Sequence, residues 1–116
     1  MKVVKISDVE AEESKNPIFK GGKVSIQRLI GENEDVLRSA VVNFSPGAAC
    51  VFHAHTADQI LYVTEGKGIV ATEKEEVTVT PGTIIFIPAG EEHWHGATKD
   101  SAFSHIFVLP PGHTNF

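Results

Sequence analysis

The stretch CVFHAHTADQ, residues 50–59, sets His53 and His55 one residue apart among apolar neighbours, with Gln59 four residues further on. A second pair, His93 and His95, lies in PAGEEHWH; His105 and His113 follow. Strand side chains alternate between faces, so residues at i and i+2 project together, and each pair offers two imidazoles side by side. Buried imidazole nitrogens are costly unless something satisfies them. Imidazole suits Mn, Fe, Co, Ni, Cu and Zn, and the amide oxygen of Gln59 can complete one face of such a site. Four protein ligands on an octahedral ion leave two positions for water or substrate, which Lewis-acid catalysis requires. Gln59 could instead hydrogen-bond a water or a neighbouring histidine. A histidine titrating near neutrality can also move protons, which makes His95 a candidate general base. His105 is a second candidate catalytic residue, or a positioning group for its neighbours.

The two histidine pairs are far apart in sequence, so only a closed β fold brings them together. The chain reads as short β-branched runs divided by Gly, Pro and polar turns. Candidate strands are 3–6, 24–30, 36–44, 49–55, 59–64, 68–73, 76–80, 83–88, 93–98 and 102–109, with turns at Gly21-Gly22, Pro46-Gly47, Pro81-Gly82 and Pro110-Pro111-Gly112. Asp8–Lys15 could form a helical turn or two but has no apolar stripe to bury. Many short strands at even spacing predict an all-β antiparallel barrel or sandwich. Val77 and Val79 alternate with threonines, as on a half-solvated strand, whereas TIIFIP is apolar throughout, as on a strand covered on both faces. A hairpin turning at Pro81-Gly82 fits both. Beyond Pro110-Pro111-Gly112, His113 is expected in a mobile tail, and Cys50 in the core.

At 116 residues the chain is read as one domain, 1–116, with a core barrel over about 36–109. Its net charge of −5 and lack of a Lys/Arg cluster disfavour nucleic acid and anionic membranes as partners. The longest apolar run, in Thr83–Ala89, is far short of a membrane span. The N-terminus turns acidic where a signal peptide would continue apolar, and one cysteine cannot form an internal disulfide. A cytoplasmic location is the default expectation.

GAACVFHAHTADQILYVTEG, Gly47–Gly66, resembles the first cupin motif: Gly47, His53, His55 and Gly66 fall in register, with Gln59 where glutamate is usual. GTIIFIPAGEEHWHGA resembles the second: Gly82, Pro88, Gly90 and His93 match, with Ala97 where asparagine is usual. The resemblance implies a single-domain jelly-roll β-barrel with a divalent transition metal held by His53, His55, Gln59 and His93. Mn and Fe are favoured over Ni and Zn. Glutamine leaves a divalent site at its full charge, which weakens retention and strengthens polarisation of a bound oxygen. It also argues against oxalate-decarboxylase-like cupins, which use glutamate there.

The HxHxxxQ and HWHGA pattern is similar to a narrower group of small cupins. It includes manganese-dependent hydroxynitrile lyases and proteins associated with carboxymuconolactone decarboxylases. In those lyases the histidines corresponding to His95 and His105 line the cavity without binding metal. Ala40 and Val42 match small residues that shape the substrate pocket. Strand parity adds Phe44, and on the last strand Phe107 and Leu109, the latter replacing a polar glutamine of the lyases. These features imply a metal-dependent enzyme acting on a small oxygenated molecule by lyase-type chemistry. A dioxygenase, a sugar-acid isomerase and a non-enzymatic small-molecule binder are the alternatives. No arginine is evident on the pocket strands, which counts against strongly anionic substrates. Because an open jelly roll has edges to cover, a homodimer is expected, with Val3–Ile6 and Val24–Ile30 as interface elements.

Overall fold

A computed structural model describes all of residues 1–116. In chain order the strands are β1 (Glu12–Glu13), β2 (Phe19–Lys20), β3 (Val24–Ile30), β4 (Arg38–Phe44), β5 (Ala49–Cys50) and β6 (Ala54–His55). Then come β7 (Gln59–Gly66), β8 (Gly68–Ala71), β9 (Glu76–Val79), β10 (Ile84–Ile87), β11 (Trp94–Ala97), β12 (Phe103–Leu109) and β13 (Thr114–Asn115). A single 3-10 turn, Ile6–Asp8, is the only helical segment. One sheet has the order β1-β3-β4-β12-β7-β10 and the other β2-β5-β11-β8-β9, with β13 and β6 forming a separate pair. Every pairing is antiparallel. This is the expected jelly roll.

The pleat decides which side chains enter the barrel. On β7, Gln59, Leu61 and Val63 are buried and Ile60 and Tyr62 exposed, in strict alternation. The apolar core gathers Val24, Val42, Phe44, Val63, Val70, Val79 and Phe103 with Ala48 and Ala97. Three aromatic rings anchor it: Phe44 stacks on Phe103 at 5.8 Å and meets the edge of Phe19 at 5.9 Å. Gly96 lets β11 approach β5, since a Cβ there would lie 2.5 Å from the Ala49 Cα and 2.6 Å from the Ala48 carbonyl oxygen.

Several sequence expectations give way. Residues 3–6 form no strand, and Asp8–Lys15 holds β1 rather than a helical turn. Pro81-Gly82 is not a hairpin turn: β9 pairs with β8 in one sheet and β10 with β7 in the other. The backbone crosses because Gly82 N–H donates to Val63 O, and Val63 N–H to Thr83 O, both at 2.9 Å. Nor is β10 covered on both faces. It is the last strand of its sheet, and Ile84 and Phe86 are 68% and 62% exposed. The C-terminal segment is docked, because Thr114 and Asn115 pair with His55 and Ala54 and supply a partner to a buried histidine. His113 there contacts Glu34 at 3.1 Å on the surface, away from the buried histidines.

Candidate metal centre and cavity

His53 and His93 are joined first by backbone. Each donates its N–H to the other's carbonyl at 2.9 Å, in an isolated antiparallel bridge. That bridge sets two residues forty positions apart directly opposite one another, with ring centroids at 4.2 Å. His55, two residues along from His53, brings its ring to 4.9 Å from His53 and 5.5 Å from His93. Potential ligand atoms of the three lie within 4.8 Å of one another, and all three residues are buried.

Each ring is turned by a hydrogen bond at its far nitrogen. His53 Nδ1–H donates to Val51 O at 2.8 Å, and His93 Nδ1–H to Glu91 O at 2.8 Å. His55 Nδ1 meets Thr114 Oγ1 at 2.9 Å. With Nδ1 carrying the hydrogen, Nε2 presents a bare lone pair, the form that binds metal. His55 Nε2, His93 Nε2 and Gln59 Oε1 are buried with no hydrogen-bond partner. Buried acceptors left open in this way are rare in folded proteins, and a cation would satisfy all of them. The donor set therefore fits one divalent transition metal.

Electrostatics agree. Burial pushes His53 and His55 down to about 4, and the neighbouring imidazoles reinforce it. His93 is lowered for the same reason, against the opposing pull of Glu91 and Glu92. These rings are neutral at pH 7, so a metal meets no competing proton.

His95 and His105 are close by. His95 shares the face of His93, with ring centroids at 5.7 Å, and its Nδ1 lies 3.1 Å from His105 Nε2. Both residues are buried; burial drives His95 well below the ordinary histidine value and His105 to about 4. Phe44 supports them from below, with its ring 6.0 Å from His95 and 5.7 Å from His105. Cys50 fixes the backbone of His95: the thiol accepts from His95 N–H and donates to His95 O, each at 3.2 Å. Burial raises that thiol to about 12, so it is an unreactive core group.

A cavity of about 200 Å³ opens onto this cluster, lined by His53, His55, Gln59, His95 and His105. Val42, Phe107 and Leu109 supply apolar wall, as expected from parity. Ala40 and Phe44 are buried but do not line it: Phe44 lies beyond Val42 in the apolar core, and the short side chain of Ala40 leaves the wall to Arg38 and Val42 on either side.

One expectation is reversed. Arg28 on β3 and Arg38 on β4 both line the cavity. The signal was available: Arg38 has the parity of Val42, and Arg28 that of Ile26. Thr114 and Phe116 also reach the cavity, through a pairing of the C-terminal segment that no local pattern announces.

Residues 40–112 match the Cupin domain family. The chain is 36% identical over 89 residues to an (R)-mandelonitrile lyase of Granulicella tundricola, covering 75% of this chain and 68% of that one. Among solved structures, the polyketide cyclase RemF of Streptomyces resistomycificus superposes with a TM-score of 0.84 at 26% identity, over 99% of this chain and 84% of that one. A cupin-like protein of Thermotoga maritima gives 0.83 at 28% identity, over 90% and 82% of the two chains.

Proposed function

This chain belongs to the cupin family, and on that premise we propose that it is a metal-dependent enzyme performing lyase-type chemistry on a small oxygenated molecule. The observation that carries this reading is the gathering of His53, His55 and His93 with the Nε2 atoms of His55 and His93 unpartnered, and with Gln59, its Oε1 also unpartnered, lining the same cavity as His53 and His55. His53, His55, Gln59 and His93 would hold the ion, with Mn or Fe favoured. When bound, a divalent metal supplies Lewis acidity at this point of the cavity.

The remaining steps belong to the chain. Val42, Phe107 and Leu109 exclude water from one side of the substrate. In the tautomer where His95 Nδ1–H donates to His105 Nε2, His95 Nε2 is bare and accepts the substrate's hydroxyl proton. The same proton returns to the leaving group once the carbon–carbon bond has parted. Burial keeps His95 neutral and its lone pair free at pH 7. The same lowering, against the near-neutral value expected from sequence, makes it a weaker base that needs a substrate hydroxyl already acidified by the bound metal. The 36% identity to a mandelonitrile lyase supports cleavage next to a hydroxyl-bearing carbon as the reaction class.

The test is metal analysis of protein purified without chelators, beside a His53→Ala/His93→Ala double variant. The expected result is close to one equivalent of metal, lost in the variant. A second arm assays carbonyl release from a panel of small 2-hydroxy nitriles, which part with cyanide, and 3-hydroxy acids, which part with an enolate. Protein that takes up no metal after reconstitution overturns the reading.

A further inference from the structure

We propose that the substrate is a small organic acid whose carboxylate is received by Arg38 and Arg28, with its hydroxyl or carbonyl oxygen toward the histidine cluster. This deepens the reading above and rests on it.

The argument begins with a charge imbalance. The chain as a whole carries −5, yet the cavity lining contains two arginines and no aspartate or glutamate side chain. Neither guanidinium has an internal counterion: the ion pairs of the molecule are Lys15 with Glu13 and His113 with Glu34, both at the surface. Arg38 Nε is buried and makes no hydrogen bond. Arg38 is half-buried and Arg28 exposed. An enclosed donor such as Arg38 Nε costs stability while it lacks a partner, and a ligand entering the cavity can complete it. The planar guanidinium matches a carboxylate in two parallel hydrogen bonds, which a neutral group of the same size cannot reproduce.

Arg38 is confined by its backbone surroundings, while Arg28 stands exposed at the cavity's edge. The stem of Arg38 runs against Gly31, where a Cβ would lie 3.0 Å from Arg38 Cγ and 2.3 Å from the Leu37 carbonyl oxygen. Gly31 sits at φ +79°, so a larger residue is disfavoured there on two counts. On β3 the register with β4 shifts between Arg28 and Ile30, and such bulges re-aim a side chain beside a site. Size bounds the ligand as well. About 200 Å³ is roughly seven times the share of one water in the liquid, room for a few-carbon acid.

The experiment is calorimetric titration of metal-loaded protein with glycolate and with glycolamide, near-isosteres differing in charge. Wild type is compared with Arg38→Met, Arg38→Lys and Arg28→Met, with metal content and melting temperature recorded for each. Wild type should prefer glycolate. Arg38→Met should weaken glycolate roughly ten- to a hundredfold while changing glycolamide less than about twofold, with Arg38→Lys recovering part of the loss. Repeating the titration on metal-stripped wild type separates the arginines from the ion: a preference for glycolate should persist. The proposal is overturned if wild type binds glycolamide as well as glycolate, or binds neither. It is equally overturned if glycolate affinity is unchanged in both methionine variants. Should Arg38→Met not fold, Arg28→Met and the metal-stripped comparison decide. Full metal content with indifferent glycolate binding refutes this inference alone; absent metal refutes the function it rests on.

Discussion

His95 Nδ1 and His105 Nε2 stand 3.1 Å apart, one on β11 and the other on β12, so a single hydrogen bond spans the two sheets inside the barrel. Neither ring has another partner: His95 Nε2 and His105 Nδ1 are both buried and open. A pair so placed can pass one hydrogen between rings while exchanging another with a substrate. Removing His95 should therefore lower kcat by about a hundredfold or more, within the range of general acid–base catalysis, and leave metal content unchanged. His105 acts through His95 as a positioning residue. His105→Gln, which keeps a hydrogen-bonding group, should retain more activity than His105→Ala and shift the pH profile of kcat. Equal kcat and equal profiles in all three variants would remove the pair from the mechanism.

Gln59 tests the charge argument. As a neutral ligand beside three neutral imidazoles it leaves a divalent ion uncompensated. Gln59→Glu should hold metal more tightly, by about tenfold in chelator competition, and should weaken polarisation of the substrate oxygen so that kcat falls. Looser retention in Gln59→Glu would show that the amide is not among the ligands.

The buried histidines make the metal-stripped protein acid-sensitive. His53, His55 and His105 titrate at about 4 in the fold against an ordinary value of 6.5, and His93 and His95 are also lowered. Between those limits the unfolded chain binds more protons than the folded one, so stability rises with pH across the interval. Urea midpoints of the stripped protein should be level above about pH 6.5 and should fall steadily toward pH 4. Added metal should counter the fall, because ion and proton compete for the same nitrogens. A flat midpoint from pH 7 to pH 4.5 would contradict the assigned burial.

The outer face of β7, β10 and β12 should seat a second copy of the chain. Ile60 pairs across to Phe86 and Val108, and Tyr62 to Ile84, giving one exposed apolar surface without a charged side chain. Two chains of net charge −5 can meet there without opposing like charges. The sequence alone points to Val3–Ile6 and Val24–Ile30 for this contact; residues 3–6 form no strand, and β1 covers the edge of β3 only at Ser25 and Ile26. Size exclusion with light scattering should give twice the 12.5 kDa chain mass, and Phe86→Glu should give one. A wild-type monomer at every concentration refutes the proposal.

Local pattern carried most of the fold. Alternation predicts the long strands β3, β4, β7 and β12, and turn residues divide them, because a half-buried strand must write its period of two into the sequence. The i, i+2 spacing likewise shows that His53 and His55 share a face, as do His93 and His95. What alternation cannot encode is which strand lies beside which. The His53–His93 bridge, the crossing at Pro81-Gly82 and the docking of Thr114 against His55 are pairings between distant segments. Each depends on backbone hydrogen bonds or contacts that form only when the barrel closes. The exposed Ile84 and Phe86 show the same limit, since an apolar run reads alike in the middle of a sheet and at its edge. Parity puts Arg38 on the face of Val42 without marking it as a cavity residue, and the expectation of a pocket without arginine fails there. That its Nε is enclosed and unpartnered follows from the closed barrel, whose cavity lining brings it no carboxylate.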